Sequence, residues 1–486
     1  MASDDVNHIG FEDMAPLKGE KARLALNALS HARDWGGELS RLVPREEAER
    51  LATLWKDVQD VTAFQGEVVK PFLEALASQT TDGFQWSQDA GALEAGRLFL
   101  SNHRDIVLDP SFINMVLLGE GHRATEIGIG SNLLKSPWVD ALVRLNRCFV
   151  VERSGSARER YAHSLRTAAY IQHVVAQGQP VWLAHREGRA KDGMDTTAPA
   201  LVRTLSKGGD EDTWNDLAVS PTSLSYEWDP CDAMKIHELL SVEVGGSYDK
   251  EVGEDEVSMW MGLAGGKGRV HFHFGAPLAW QTGSQGEKQE RWMAQKMDAR
   301  LMDGMKLWPN QRLCAEWLGL SSEIAHQAPK ASDMERAAWQ SRLEDVTQAM
   351  KEKGWSKEQA SRMWCKVMSA PLVHRHGLLQ QGGHRHCACH GSIERFCATC
   401  PGDGQNVVAR RLDLLRHPMR LGPHHQKRGK FRRSLGVQIV SASIKARHTA
   451  PPIFGQILEV LDAQRHMEGR SHGALDRLGA KGIGGG

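Results

Sequence analysis

Between Gly96 and about residue 280, short apolar runs alternate with segments of helical period, and that alternation constrains the fold more than any other feature. Leu98-Phe99-Leu100, Cys148 to Val151, Val181 to Ala184, the run through Ser223-Leu224-Ser225-Tyr226, and Val270 to Phe274 have the length and composition of strands. The stretches between them repeat apolar residues at helical spacing; Tyr161, Leu165, Ala168, Ile171 and Val175 share one face. Strands alternating with helices in this way form an α/β domain. In Val270-His271-Phe272-His273-Phe274 the period of two puts both histidines on one side of an edge or half-exposed strand, which accounts for them without a bound metal.

The rest of the chain divides around that domain, expected at 96–285. Residues 1–95 read as a helical N-terminal unit. Pro44 suits a first helical turn, and Leu51, Leu54, Trp55 and Val58 form one stripe, Val61, Phe64 and Val68 another. Residues 286–370 read as a helical extension, with Trp292, Met293 and Met297 on one face and capping pairs Ser332/Glu335 and Ser356/Gln359. Charge is balanced at 60 Lys+Arg against 60 Asp+Glu, but from Pro371 onward it is 18 against 7. Eleven of the 22 histidines and four of the eight cysteines also lie there, in a basic, His/Cys/Gly-rich tail (371–486) with little periodicity. That tail is expected to be poorly ordered, a small separate module, or sequence outside the native reading frame. Cys148, Cys231, Cys314 and Cys365 are scattered singly, as reduced thiols of a cytoplasmic protein are. The acidic start lacks an apolar signal core, and no run of 18 apolar residues occurs, so neither a secretory signal nor a membrane-spanning helix is expected.

Chemistry concentrates where the predicted strands end. After Leu98–Leu100 come His103 and Asp109, then Pro110 and an apolar helical segment. Ligands of open α/β sheets collect outside the carboxyl ends of strands. A histidine oriented by a carboxylate there is placed to take a proton from a hydroxyl. A second block, Cys148 to Arg158, runs from a strand through Ser154-Gly155-Ser156 into a helix, with Arg153 and Arg158 adding positive charge; it suits a phosphate or a plain helix cap. A third, His185 to Gly193, places Glu187, Gly188, Arg189 and Lys191 on one turn, where glycine permits the close approach of a phosphate to the cations; a solvated charged loop reads the same. A fourth, Val219 to Glu227, is a strand with Pro221 near its start. In the tail, Cys387, Cys389, Cys397 and Cys400 with His384, His386 and His390 supply zinc-type ligands, though the spacing lacks the pattern of a zinc ribbon. The scarcity of aromatic residues there (Phe396, Phe431, Phe454) argues against base stacking and specific nucleic-acid binding.

Taken in order, the four blocks resemble those of the glycerolipid acyltransferases, the glycerol-3-phosphate and 1-acylglycerol-3-phosphate acyltransferases among them. Asn102-His103-Arg104 is similar to the first block, the segment from Asn132 to Arg153 to the second, Glu187-Gly188-Arg189 to the third, and Pro221 through Tyr226-Glu227 to the fourth. The family places four residues between its histidine and aspartate; here Asp109 follows after five, Leu108 holds the family position, and Asp105 stands closer. The third block is one residue short, and Asn146 replaces a usual glycine. The resemblance implies a mixed, mostly parallel sheet flanked by helices. It implies transfer of a fatty acyl group from acyl-CoA or acyl carrier protein to a hydroxyl of glycerol-3-phosphate or 1-acylglycerol-3-phosphate. His103 would be the base, Asp109 or Asp105 its orienter, and Arg104, Arg153, Glu187, Gly188, Arg189, Lys191 and Pro221 would meet the substrate. No cofactor or metal is implied. Peripheral contact with the inner face of the cytoplasmic membrane is expected from the insolubility of such substrates. Two other readings are a same-fold enzyme with a non-glycerol acceptor and a non-enzymatic metal- or anion-binding protein acting through the tail.

Overall fold

The computed structural model describes residues 10–383 apart from 135–136, 252 and 284–287. Two compact units divide after Leu372; all that follows lies in the first except the end of the last helix, the described part of the second. The zinc ligands and the poor order expected of the tail lie outside the described residues. Five helices come first: α1 Gly19–His31, α2 Trp35–Leu39, α3 Arg45–Asp57, α4 Val61–Ala63, which runs on as a π-helical turn to Val69, and α5 Lys70–Thr80. Leu26, Trp55, Phe64 and Val68 are buried, and α1, α3 and the π-helical turn pool them into a core with Leu145.

The strands and their crossovers follow. These are β1 Phe84–Gln88, α6 Ala92–Ala95, β2 Leu98–Ser101, α7 Leu108–Gly119, β3 Glu126–Gly130, α8 Pro137–Leu145, β4 Cys148–Val151, α9 Ala157–Ala176 and β5 Val181–Ala184. Then come α10 Pro199–Leu205, α11 Glu211–Asp216, β6 Val219–Tyr226, α12 Asp232–Gly245, α13 Glu254–Ala264 and β7 Val270–Phe274. One seven-stranded sheet results, in the order β1-β7-β6-β2-β5-β3-β4, and every pairing is parallel except β6 with β7. This is the mixed, mostly parallel sheet flanked by helices that the block order implied. β2 lies at its centre and is buried on both faces, which is why it reads as an unbroken apolar run rather than an alternation.

Two strands escape the sequence reading. β1 falls inside the stretch read as helical, and β3 was not expected at all. Phe84-Gln85-Trp86-Ser87-Gln88 is only half-buried, and its pairing with β7 makes it a strand. β3 is Glu126-Ile127-Gly128-Ile129-Gly130, and its glycines hide the pattern. A Cβ on Gly128 would stand 2.7 Å from Leu183 and 3.1 Å from Phe149, so close packing calls for the missing side chain. β7 is not an edge strand but lies between β1 and β6; His271 and His273 are half-exposed on one face, as the period of two predicts.

The helices beyond the sheet are α14 Gln289–Gly304, α15 Pro309–Trp317, α16 Ser322–Ala325, α17 Asp333–Glu352 and α18 Lys357–Gly383. Both arms of the Ser332/Glu335 capping box are made. α12, α15, α17 and α18 bury a second core around Ile236, Leu313, Trp339 and Trp364. At its margin Asp232, at the start of α12, is buried, and Arg342 reaches both its oxygens at 2.8 and 3.0 Å while Trp364 Nε1 donates to it at 2.9 Å. No helix among the described residues is long and apolar enough to cross a membrane. Cys148, Cys231, Cys314 and Cys365 are buried free thiols.

Candidate active site

β2 is flanked by β5 and β6, both parallel to it, so the carboxyl ends of three strands open on one edge of the sheet. The chain leaves β2 through Asn102, which is fully buried. Its side chain accepts from Leu224 N at 2.8 Å and donates to Leu224 O at 2.9 Å, extending the β2–β6 ladder by one rung while freeing the backbone to turn. Ala190 N donates to His103 O at 2.9 Å, which ties the third block to the first.

The turn from His103 to Leu108 then brings Asp109, in the first turn of α7, back under the imidazole. Nδ1 of His103 lies 2.8 Å from Asp109 Oδ2. The same oxygen accepts from Arg104 N at 2.6 Å and Asp105 N at 3.0 Å, and the other, Oδ1, accepts from the Tyr226 hydroxyl at 2.8 Å. The Asp109 side chain is 0% exposed and that of His103 14%. With Nδ1–H donated to a carboxylate, Nε2 keeps its lone pair, the state a general base requires. Asp105 does something else. Its Oδ1 accepts from Val107 N at 2.9 Å and Leu108 N at 2.8 Å, opening α7 as an N-cap does. Burial, with Asp109 nearby, raises the pKa of its carboxyl group. The fifth intervening residue is thus absorbed by this capping turn.

The remaining predicted residues part company. Arg104 forms an ion pair with the buried carboxylate of Asp195, and its carbonyl accepts from Lys235 Nζ at 2.8 Å. Gly188 has φ +70°, a left-handed turn that glycine adopts at little cost, and nothing stands within 4 Å of where a Cβ would be. Beside it Glu187 is exposed, Lys191 pairs with Glu238, and Arg189 NH1 donates to the neutral Ser258 hydroxyl at 2.7 Å. Arg153 follows β4, the edge strand, three strand spacings or roughly 14 Å from β2. The turn after it, which suited a phosphate, already holds the chain's own carboxylates. Glu152 Oε1 accepts from Arg153 N and Ser154 N at 2.8 Å each, and Glu159 Oε2 from Ser156 N at 2.7 Å. The Ser154 amide, the Ser131 hydroxyl and Ser154's own side chain pull the pKa of Glu152 down to about 2. Pro221 is buried near the start of β6, opposite Leu100 and so three residues before His103 on the neighbouring strand.

Tyr226, Asp195, Lys235 and Ser258 touch the turn or the third block and were not among the sequence candidates. Tyr226 ends a predicted strand and was findable; Lys235 and Ser258 sit on helices with no local signal. A groove of about 570 Å³ lies farther along, between α5, β1 and α7; Glu74, Glu120, Phe84 and Met115 are among its lining, and none of the residues above is.

Residues 78–202, from α5 into α10 and so holding the first three blocks, match the family model described as Acyltransferase. Among solved structures, the 1-acyl-sn-glycerophosphate (LPA) acyltransferase PlsC from Thermotoga maritima is similar at 14% identity over 57% of this chain and 91% of that one. Its TM-score of 0.27 is too low to bear on the site. No curated protein matches the sequence.

Proposed function

We propose, from the match of residues 78–202 to the Acyltransferase model and the order of the four blocks, that this chain moves a fatty acyl group from acyl-CoA or acyl carrier protein to a hydroxyl of glycerol-3-phosphate or 1-acylglycerol-3-phosphate. The observation that carries the reading is the His103–Asp109 pair at the carboxyl edge of β2. His103 Nε2 takes the acceptor's hydroxyl proton as that oxygen attacks the thioester carbon. The C–S bond then breaks, and the imidazolium returns the proton to the leaving thiolate, giving an ester and a free thiol. Asp109 holds the ring in the working tautomer and balances its transient charge.

For the acceptor's phosphate we assign Arg189. Its hydrogen bond goes to a neutral hydroxyl and the Asp229 carboxylate acts on it only without a direct bond, whereas Arg104 and Lys191 pair directly with carboxylates. The open left-handed turn at Gly188, next to Glu187, leaves room for the phosphate to approach. Arg153, at the far end of the same edge, suits a second anionic group of an extended substrate. Substrates of this kind draw the protein to the inner face of the cytoplasmic membrane as a peripheral partner, which sedimentation with phospholipid vesicles tests.

The decisive assay is free-thiol release from palmitoyl-CoA, then from palmitoyl-acyl carrier protein, with each acceptor in turn. Acceptor-dependent release is expected in the wild type. In His103→Ala it should fall about 10²–10⁴-fold with the fold intact. Undiminished release in that variant would remove the mechanism.

A further inference from the structure

We infer that Tyr226 is a positioning residue for this reaction: its hydroxyl fixes the Asp109 carboxylate and thereby sets how strongly His103 binds a proton. The inference rests on the reading of His103 as the base. Asp109 Oδ2 accepts from three N–H groups, those of His103, Arg104 and Asp105, while Oδ1 accepts from Tyr226 at 2.8 Å. The Asp109 side chain is 0% exposed, so a lost donor on Oδ1 is not simply replaced by bulk water. Tyr226 is held at both ends. Its ring packs edge-on against Phe272 with centroids 5.8 Å apart, and two residues earlier Leu224 is pinned by Asn102. Burial, and then the charge of Asp109, push its phenol well above the ordinary value of 10, so it remains a donor at any working pH.

Two consequences follow from the geometry. A carboxylate loaded with donors is less basic and grips an imidazolium less tightly. A carboxylate anchored at both oxygens also cannot rotate away from Nδ1. Loss of the phenol hydroxyl should therefore raise the proton affinity of His103 while loosening its alignment. The other charged groups around the pair are Asp105 with Lys267, Arg104 with Asp195, and Lys235 with Asp229. Asp105 and Asp229 also act on the Tyr226 phenol, so the shift is read from the phenylalanine and fluorotyrosine changes together, which should move it in opposite directions. A hydroxyl–carboxylate pair is not catalytic by itself: Tyr170 bonds Glu126 in the same domain, at a distance from this turn along the chain.

The test is Tyr226→Phe, assayed for kcat, KM and the pH dependence of kcat/KM. We expect kcat to fall about 10–100-fold, the loss typical of a buried hydrogen bond to a charged group, with acceptor KM changed by less than about threefold. The acid limb of the profile should move up by about half a pH unit or more. A merely structural tyrosine would lower the melting temperature and leave that limb in place. A second probe keeps every side chain. Global replacement of the four tyrosines by 3-fluorotyrosine makes each phenol a stronger donor and should move the limb down. It answers the question even if the phenylalanine variant does not fold. His103→Ala is measured alongside. Activity kept in that variant overturns the base reading and this inference with it. Activity lost there, with the acid limb unmoved by fluorotyrosine and by any folded phenylalanine variant, overturns this inference alone.

Discussion

His103 and His273 each stand beside a hydroxyl and an aspartate, and they share little else. His103 meets Asp109 at 2.8 Å, and that carboxylate is sealed from solvent and held by four donors. His273 meets Ser87 Oγ at 2.9 Å, but its aspartate, Asp89, lies 3.5 Å away with 45% of its side chain exposed. Ser87 also bonds His271 Nε2 at 3.1 Å, so one hydroxyl serves two rings. The first cluster sits where parallel strands end and the backbone turns out of the sheet. The second sits within paired β1 and β7, with the α14 backbone at Gly304 packed against the His273 ring. A histidine, a hydroxyl and a carboxylate are thus common furniture. A buried, fully engaged carboxylate at a strand end gives the ring a defined tautomer, whereas a half-exposed one 3.5 Å away is screened by water.

The sharpest way to break this contrast is Asp109→Asn. It keeps the shape but removes the charge that selects the His103 tautomer, and kcat should fall about 10²–10⁴-fold with the melting temperature changed far less. Activity within tenfold of wild type would mean the buried carboxylate is structural. Arg189→Ala should act on binding rather than turnover, raising acceptor KM about 10–100-fold through the loss of a charge-assisted contact. A fall in kcat at unchanged KM would place Arg189 elsewhere in the mechanism. His273→Ala should leave kcat/KM within about twofold, since its loop of contacts stays inside the sheet. A loss beyond tenfold there would erase the distinction between the two clusters.

Much of the fold was legible because burial writes itself into composition. β2, β4, β5, β6 and β7 are apolar or alternating runs, and the order of strands and helices implied a parallel sheet before any contact was known. β1 and β3 were not legible, since one is half-buried and the other is two-fifths glycine; each becomes a strand only by pairing. At the candidate site the sequence displayed His103, two competing aspartates and a cluster of cations. It could not rank them. Whether Asp105 or Asp109 faces the ring depends on which carboxylate the turn uses to cap α7, and Asp105 takes that task through Val107 N and Leu108 N. Arg104 and Lys191 look like Arg189 on paper, and their carboxylate partners Asp195 and Glu238 arrive from 91 and 47 residues away.

By itself, then, the sequence determined the α/β alternation, the strand ends where polar residues gather, and the order of four blocks that resembles the glycerolipid acyltransferases. These are local matters, decided by which residues within a few turns or rungs prefer burial. Only the tertiary structure decided the partners. It chose Asp109 over Asp105, supplied Tyr226 from 117 residues away, and neutralised some cations while leaving Arg189 on a hydroxyl. It also filled the turn after β4 with the chain's own glutamates. Charges and hydrogen bonds act over a few ångströms in space, and distance along the chain carries almost no information about which groups will meet there.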